Sequence, residues 1–400
     1  MHKKVNHKKK INNKEISIIG GAGHVGFPLG LVFAAKNFKV NLIDKNKAFL
    51  SKINKGIPPF LEKDSKKLLK KCIKKKTLFI NTDYKPIKRS KFILICIGTP
   101  INQNLRPKIK EFLSFFYFLK KLINKSQIII IRSSIFPGVF TKVCKILGKK
   151  NYNVVYCPER IVQGKSIEEL PKLPQILAGQ NKFSINETKK LFNKITKKII
   201  TTSVLEAELI KLFSNANRYI NFSIANQLFM ICKEHNLDYS KIRKIMRDGY
   251  ERNTNLPAAG FTAGPCLLKD TMQLSSFYKQ RFSLGHAAMN VNESMPNFIL
   301  KNIKNIKNIK NKKIGVLGVT FKAETDDIRD SLAIKLIKSL KKSGLKVLQS
   351  DEYYFSKNNI KKEKLLKLSD IIIIAAPHKA YKKIKIKKGK ILIDIWGLKN

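Results

Sequence analysis

Cys266 is the cysteine whose setting best suits a nucleophile, in the segment Phe261-Thr262-Ala263-Gly264-Pro265-Cys266-Leu267-Leu268-Lys269-Asp270. It follows a Gly-Pro turn, whereas Cys96 lies in an apolar run that predicts a strand, and Cys72, Cys144 and Cys232 lie in helical patterns. If a helix starts at Leu267, its N-terminal dipole and the nearby lysines would favour the reactive thiolate. The segment therefore predicts covalent catalysis, with a buried inert cysteine as the alternative.

A glycine-rich turn lies far upstream, where Gly21-Ala22-Gly23-His24-Val25-Gly26 has the spacing GxGxxG. In such a turn Gly21 allows the tight bend, Gly23 lets the backbone approach a pyrophosphate, and Gly26 lets helix and strand pack closely. The NH groups at the start of the following helix would face the anion. The turn predicts a dinucleotide cofactor, with a glycine turn that binds no ligand as the alternative.

The context of the turn strengthens this prediction. Residues 16–19 are a short apolar strand, residues 28–36 continue as a helix, and a second strand at 38–43 ends in Asp44. An acidic side chain at that point can accept hydrogen bonds from the adenosine ribose 2'-OH. Asp44 therefore favours NAD over NADP.

Apolar runs at residues 91–97, 126–131 and 152–156 alternate with helical segments, which predicts a parallel sheet. Each run ends in a polar or Gly/Pro cluster. These clusters are Gly98-Thr99-Pro100, Arg132-Ser133-Ser134-Ile135-Phe136-Pro137-Gly138 and Cys157-Pro158-Glu159-Arg160. Because ligands bind at the carboxyl ends of parallel strands, the clusters are candidate site segments.

A long helix is predicted over residues 204–234, and it contains Lys211 and Asn215 one turn apart. An i, i+4 pair projects from one helix face, so an ammonium and an amide could converge on one substrate oxygen. The alternative is a solvated helix face.

The composition is strongly basic, with 81 Lys and Arg against 27 Asp and Glu and a formal charge of +54. Such a charge raises the possibility of nucleic-acid binding. The basic residues are mostly lysine and are spread along the whole chain, so we interpret the excess mostly as biased composition that still favours anionic small molecules.

The 400 residues suggest two or three domains. The six cysteines and six histidines are scattered without CxxC or HxxxH pairs, so we predict no disulfide framework and no metal. A reducing cytosol fits this cysteine usage, and we expect a cytoplasmic protein.

Residues 16–35 contain no charged side chain and follow a lysine-rich stretch, a pattern that imitates a signal peptide or membrane anchor. Five glycines, at positions 20, 21, 23, 26 and 30, and Pro28 fall within this segment. They favour a strand-to-helix turn, so we predict no membrane span.

Seven motifs in order resemble the UDP-glucose/GDP-mannose dehydrogenase family over nearly the whole chain. They are the glycine turn, Gly98-Thr99-Pro100, Arg132-Ser133-Ser134, Pro158-Glu159, and residues 206–215, 264–270 and 321–329. Members of this family oxidise C6 of a nucleotide sugar to a carboxylate in two NAD-dependent steps. The resemblance implies that Cys266 forms a thiohemiacetal and then a thioester.

The resemblance also assigns roles residue by residue. Lys211 and Asn215 would stabilise the oxyanion, a task suited to fixed donors in a dry site. Asp270, Glu159 and Ser134 would position water and relay protons. The cofactor contacts implied are Gly21, Gly23, Gly26, Asp44, Thr99 and Arg329. The substrate contacts implied are Lys322, Arg160, Arg218 and Arg252, the last reaching a neighbouring subunit of a homodimer or higher homo-oligomer.

The choice of UDP-sugar stays open between UDP-glucose and a UDP-N-acetylhexosamine. Ser134 and His24 stand where many members have Thr and Tyr, and Gln163 occupies a position that is acidic in many UDP-glucose enzymes. Pro158-Glu159-Arg160, in contrast, resembles the branch that acts on UDP-N-acetylhexosamines.

The predicted fold class is α/β: a Rossmann-like NAD-binding domain, a central long-helix dimerisation region and a C-terminal Rossmann-like UDP-binding domain. The predicted boundaries are a basic tail at 1–14, then 15–200, 201–300, a connector at 301–312 and 313–400. Two other functions remain to be weighed, a two-electron hydroxyacid dehydrogenase and a basic nucleic-acid-binding protein. Neither of these functions would use Cys266 as a nucleophile.

Overall fold

A computed structural model describes residues 12–99, 101–102, 105–148, 152–262 and 264–399 of the chain. The contacts within it divide the chain into two compact units, residues 1–212 and 213–400. Most of the predicted basic tail, together with Pro100 and Ala263 of the motifs, lies outside the described residues.

The first unit contains a sheet with the strand order β3-β2-β1-β4-β5-β6-β7-β8 in the described residues. The strands are β1 (Asn12–Ile19), β2 (Lys39–Ile43), β3 (Leu78–Asn81), β4 (Ser90–Ile95), β5 (Ile128–Ile131), β6 (Asn153–Tyr156), β7 (Gln175–Gly179) and β8 (Ile199–Thr201). Strands β1 to β6 are parallel. This is the doubly wound order, with its switch point between β1 and β4.

Helices cover both faces of this sheet. They are α1 (Gly26–Ala35), α2 (Lys47–Asn54), α3 (Ser65–Lys74), α4 (Ile109–Lys120), α5 (Val139–Leu147), α6 (Ser166–Glu169) and α7 (Lys182–Phe192). The unbroken isoleucine run of β5 is explained by burial on both faces of the sheet. Ile128 and Ile130 pack in one apolar cluster, and Ile129 and Ile131 pack in another. A strand buried on both faces needs apolar side chains at every position.

The boundary between the units falls within α8 (Val204–Glu234), which has 31 residues. Further helices follow it in the second unit: α9 (Tyr239–Arg247), α10 (Leu267–Phe277) and α11 (Ser283–Lys304). A buried amide pair joins α8 to α11, because Asn226 Nδ2 donates to Asn292 Oδ1 at 2.8 Å. The pair therefore fixes how these two helices align, since buried amides are costly without partners.

The second unit ends in a parallel sheet with the order β10-β9-β11-β12 in the part of the chain described. Its strands are β9 (Lys313–Leu317), β10 (Lys346–Ser350), β11 (Ile371–Ile374) and β12 (Ile391–Asp394), and its helices are α12 (Leu332–Lys342) and α13 (Lys362–Leu368). Helix α13 has only seven residues. The connection from β10 to β11 therefore contains only a short helix.

The α/β class and the mainly parallel sheets are confirmed, and α8 has the bounds that the sequence predicted. The antiparallel pairing of β7 with β6 was not predicted. Among the described residues, no helix combines the length and apolarity that a membrane crossing requires. The segment that imitates an anchor is instead β1, the glycine turn and α1. The predicted domain boundaries stay a prediction.

Candidate active site

The glycine turn between β1 and α1 uses its glycines for different reasons. A Cβ on Gly21 would lie 2.8 Å from Ile18 O and Leu42 Cα, and one on Gly26 would collide with Gly20 O. A Cβ on Gly23 would have only Gly20 O within 4 Å, at 3.3 Å. Internal packing therefore explains Gly21 and Gly26, whereas Gly23 leaves room for an approaching ligand.

Asp44 follows β2 and binds this turn directly. Its Oδ2 accepts the Ala22 amide at 3.0 Å, and its Oδ1 accepts the Asn46 amide at 2.9 Å. A carboxylate offers about four acceptor sites, so two amides leave capacity for ribose hydroxyls. The turn, the start of α1 and Asp44 thus fit an NAD molecule, whose pyrophosphate would lie at the helix N-terminus.

Thr99 and Ser134 lie side by side beyond the carboxyl ends of β4 and β5. Thr99 Oγ1 donates to the Ser134 carbonyl at 2.5 Å, and Ser133 Oγ donates to the Ile97 carbonyl at 2.6 Å. The structure therefore brings these two predicted residues together at the edge where ligands bind.

Glu159, beyond β6, belongs to a buried cluster that the sequence did not reveal. Its Oε2 pairs with Arg132, and its Oε1 accepts the amides of Arg160 at 2.8 Å and Ile161 at 3.2 Å. Burial disfavours the Arg132 charge, but Cys157 and Glu159 outweigh burial and raise the pKa of the guanidinium. Both oxygens of Glu159 are thus engaged by donors from its own unit.

Cys266 stands at the N-terminus of α10, so the predicted helix from Leu267 is confirmed. Its side chain is exposed. In contrast, burial raises the pKa of the Cys96 and Cys144 thiols to about 12 and that of Cys157 to about 11. Those three thiols therefore stay protonated near neutral pH, and Cys266 is the accessible one.

Asp270, one turn into α10, is fully buried and has two partners. Asn215 Nδ2 donates to its Oδ2 at 2.6 Å, and Lys269 Nζ lies 3.0 Å from its Oδ1. Burial opposes the Lys269 charge, but Asp270 and Cys266 raise the pKa of this lysine above its ordinary value. Asp270 therefore links Asn215, another predicted site residue, to Lys269 at the start of α10.

Arg329 adds a second cation near Cys266. It chelates the Asp327 carboxylate, with Nε 3.0 Å from both oxygens. This hydrogen bonding is the main cause of its raised pKa, and the charge of Cys266 contributes to the same shift. A negative charge on Cys266 would therefore interact with both Lys269 and Arg329. The cofactor contact predicted for Arg329 stays a prediction.

The loop that leads to Cys266 is fixed by residues that sequence reasoning missed. The Gly260 amide donates to Asn226 Oδ1 at 2.8 Å, and the indole ring of Trp396 occupies the space that a Gly260 side chain would need. Asn292 Nδ2 continues the chain of bonds to the Tyr219 carbonyl at 3.0 Å. These partners are far apart in sequence, so no local motif could have indicated them.

The other predicted contacts are spread over the two units. Lys211 is buried on α8 and Arg218 is exposed there. Arg160 donates to the Pro174 carbonyl at 2.6 Å. The guanidinium of Arg252 lies 5.3 Å from the Tyr250 ring centre, and Lys322 Nζ lies 6.0 Å from that of Phe321. In the described residues no cluster of three His, Cys, Asp or Glu side chains is arranged for a metal ion.

Comparison with known proteins matches all three parts of the chain to one family. The UDP-glucose/GDP-mannose dehydrogenase family models match residues 14–196 as the NAD binding domain, 205–294 as the central domain and 315–399 as the UDP binding domain. The UDP-N-acetyl-D-mannosamine dehydrogenase of Pyrococcus horikoshii is 27% identical, over 94% of this chain and 93% of that protein.

Two further similarities agree with this match. The UDP-N-acetyl-D-mannosamine dehydrogenase of Methanocaldococcus jannaschii is 29% identical, over 97% of this chain and 93% of that protein. A solved structure of the Pyrococcus horikoshii UDP-D-ManNAc dehydrogenase superposes with a TM-score of 0.87 at 26% identity, covering 96% of each chain.

We expect Gly23→Ala and Gly26→Ala to separate cofactor binding from folding. The Gly23 variant should keep its thermal stability and raise the KM for NAD about tenfold, because its methyl group faces the pyrophosphate site. The Gly26 variant should lose about 1–3 kcal/mol of unfolding free energy, because its Cβ meets backbone. Thermal unfolding and NAD kinetics measure both. Equal destabilisation of the two variants would contradict this interpretation.

We expect Lys269→Met to slow the alkylation of Cys266 by iodoacetamide severalfold, because the reacting thiolate then loses its attraction to the Lys269 ammonium. Lys269→Arg keeps the positive charge and serves as the matched control. Mass spectrometry of the Cys266 peptide measures the rate. Alkylation at the wild-type rate in the Met variant would show that Lys269 does not stabilise the thiolate.

Proposed function

The chain belongs to the UDP-glucose/GDP-mannose dehydrogenase family and is an NAD-dependent dehydrogenase of UDP-sugars; we propose that its substrate is UDP-N-acetylmannosamine and that Cys266 carries the covalent intermediate. The observation that supports this most directly is the exposed Cys266 thiol at the start of α10, with Lys269 and Arg329 acting on it. A hydroxyacid dehydrogenase or a nucleic-acid-binding protein would have no use for this arrangement.

The choice of sugar rests on two observations. The relatives described above from Pyrococcus and Methanocaldococcus are named for UDP-N-acetyl-D-mannosamine. In this chain, Pro158-Glu159-Arg160 resembles the N-acetylhexosamine branch, and Gln163 replaces an acid common in UDP-glucose enzymes. The product would be the corresponding uronate, a precursor of surface polysaccharides.

In the proposed reaction Cys266 holds the substrate between two oxidations. NAD, when bound, supplies the hydride acceptor for each oxidation. The Cys266 thiolate adds to the C6 aldehyde, and the resulting thiohemiacetal is oxidised to a thioester. Water then releases the carboxylate and regenerates the thiol. One alcohol, one water and two NAD⁺ thus give one carboxylate, two NADH and three protons.

The donors for this chemistry lie on α8. Lys211 and Asn215 are one turn apart on that helix, and we assign them the oxyanion of each tetrahedral intermediate. Asp270 takes one N–H of the Asn215 amide and so orients the other. We assign water activation to Asp270 and Ser134. Both Glu159 oxygens already accept hydrogen bonds, so we assign Glu159 the structural role of holding the loop after β6. The proton relay that the resemblance implies for Glu159 stays a prediction.

We further propose that the enzyme is a homodimer formed through α8 and that it works in the cytoplasm. Phe213, Ile224 and Ile231 are 52%, 46% and 47% exposed on this helix. Their spacings of eleven and seven residues place them on one stripe of an α-helix. An apolar stripe exposed on a long helix fits a second copy of the same helix. Arg252 would then approach the partner's substrate.

The proposed function is tested by the NADH formed per molecule of limiting UDP-N-acetylmannosamine, UDP-N-acetylglucosamine or UDP-glucose. We expect two NADH with UDP-N-acetylmannosamine. Cys266→Ser should lower steady turnover about 10³-fold or more, because a serine hydroxyl is a weaker nucleophile than a thiolate and an oxygen ester hydrolyses more slowly than a thioester. Cys232→Ser, a buried cysteine of α8, is the control and should still form two NADH. One NADH per sugar, unaffected by Cys266→Ser, would exclude the mechanism.

The proposed dimer is tested by Ile224→Glu. A charge in the centre of the apolar stripe should weaken self-association by about 2 kcal/mol or more, which sedimentation velocity detects as monomer at micromolar concentration. Tyr117→Glu is the control, because Tyr117 is also exposed but belongs to α4 and not to the proposed stripe on α8. A monomeric wild type, or a dimeric Ile224 variant, would disprove the proposed interface.

A further inference from the structure

A buried histidine lies at the carboxyl edge of the C-terminal sheet, in none of the motifs that the sequence singled out. His378 follows β11 and has no exposed surface. Gly318 follows β9 and Asp351 follows β10 at the same edge. Carboxyl ends of parallel strands are where such folds place ligand-binding loops, so the partners of His378 deserve a functional explanation.

The hydrogen bonds of His378 assign its tautomer. Its Nδ1 accepts the Glu324 amide at 3.0 Å. An amide N–H can only donate, so Nδ1 carries no proton and the neutral ring must carry its proton on Nε2. That Nε2–H faces Asp351 Oδ2 at 3.3 Å and Thr320 Oγ1 at 3.2 Å. The ring therefore joins two segments through opposite nitrogens.

Asp351 binds several backbone amides in addition to this histidine. Its Oδ2 accepts the Val319 amide at 2.6 Å, and its Oδ1 accepts the amides of Tyr353 and Tyr354 at 2.8 and 3.1 Å. Burial alone would raise the pKa of Asp351, but His378 and these amides hold it below its ordinary value. The carboxylate thus stays charged and anchors one side of the imidazole.

Glu324, on the other side, has an unfavourable backbone conformation. Its φ of 55° lies in the left-handed region, which glutamate rarely adopts. Besides the bond from its amide to His378, its carboxylate accepts the Tyr353 hydroxyl at 2.7 Å and the Lys379 amide at 2.9 Å. These bonds hold a turn that local sequence preference would not.

The turn at Glu324 lies in the segment 320–329, which borders the Cys266 loop. The Phe321 ring packs on Gly264, where an added Cβ would lie 2.5 Å from Phe321 Cδ2. The same segment carries Arg329, whose charge acts on Cys266. The Phe321 amide also donates to the Asp327 carbonyl at 3.0 Å, so both ends of the segment are tied together.

We propose that His378 is a positioning residue for the Cys266 site: its unprotonated Nδ1 holds the Glu324 turn, and that turn places Phe321 and Arg329 beside the nucleophile. The consequence for the reaction rests on the proposed covalent role of Cys266. The placement itself does not, because the alkylation of Cys266 reports it without any substrate. His378 makes no contact with substrate in this role.

Two substitutions separate the two nitrogens of the ring. In His378→Asn the side-chain oxygen can take the place of Nδ1 and accept the Glu324 amide. In His378→Gln the amide nitrogen can take the place of Nε2 and donate to Asp351, but nothing accepts from Glu324. We expect the Asn variant to stay within about threefold of wild type, and the Gln variant to raise the KM for the UDP-sugar about tenfold.

Cys266 alkylation by iodoacetamide should follow the same order, with the Gln variant slowest and the KM for NAD unchanged in both. Equal losses in the Asn and Gln variants, or no loss in either, would overturn the proposal. If neither variant folds, Tyr353→Phe decides, because it removes the hydroxyl that binds Glu324 and keeps the ring that packs on His378. It should raise the UDP-sugar KM and slow alkylation severalfold, and wild-type values for both would overturn the proposal.

The outcome is distinguishable from a failure of the proposed function. If wild type forms one NADH per sugar independently of Cys266, the thioester mechanism fails, yet the alkylation rates of the His378 variants still report on the turn. If wild type forms two NADH but the Asn and Gln variants behave alike, only the role of His378 fails.

Discussion

The site depends on the buried carboxylate of Asp270, because a charge without solvent must be paired or it destabilises the fold. Asn215 and Lys269 supply its partners, at 2.6 and 3.0 Å. The bond from Asn215 fastens α10, whose N-terminus carries Cys266, to the long helix α8, and the Lys269 ion pair lies within α10. The Asp270 carboxylate is buried and paired, and in this way it aligns the Cys266 thiol, the Asn215 amide and the Lys269 ammonium. Structural and chemical requirements coincide at this one group.

The acidic residues of this basic chain serve the backbone more than they neutralise lysines. In each unit an aspartate follows a strand that pairs with the first strand of the sheet in chain order. This aspartate accepts a backbone amide from the turn after that first strand: Asp44, after β2, accepts from Ala22 after β1, and Asp351, after β10, accepts from Val319 after β9. Asp44 can still accept hydrogen bonds from a ligand, whereas Asp351 already accepts them from backbone amides and from His378. Similar turns can therefore bind a cofactor in one unit and brace a loop in the other.

Glu208 shows the same use of a carboxylate at a helix end. It is buried and accepts the Gly138 and Phe140 amides at 2.8 and 3.1 Å, so it caps α5 from the first turns of α8. Burial raises the pKa of Glu208 because desolvation outweighs these two bonds. The chain has 27 acidic against 81 basic residues, so most lysines have no acidic partner and stay solvated. The few buried acidic side chains hold loops and helix ends in place.

The sequence by itself determined the elements and the chemistry: the isoleucine run of β5, the helix at 204–234, the glycine turn, and the Gly-Pro turn before Cys266 are local patterns whose physical meaning does not depend on distant residues. Tertiary structure alone decided which side chains hold them. The bonds of Asp270, Glu159 and His378 join residues up to 58 positions apart. Such pairings follow from packing and from the need to satisfy buried polar groups, and no sequence period records them.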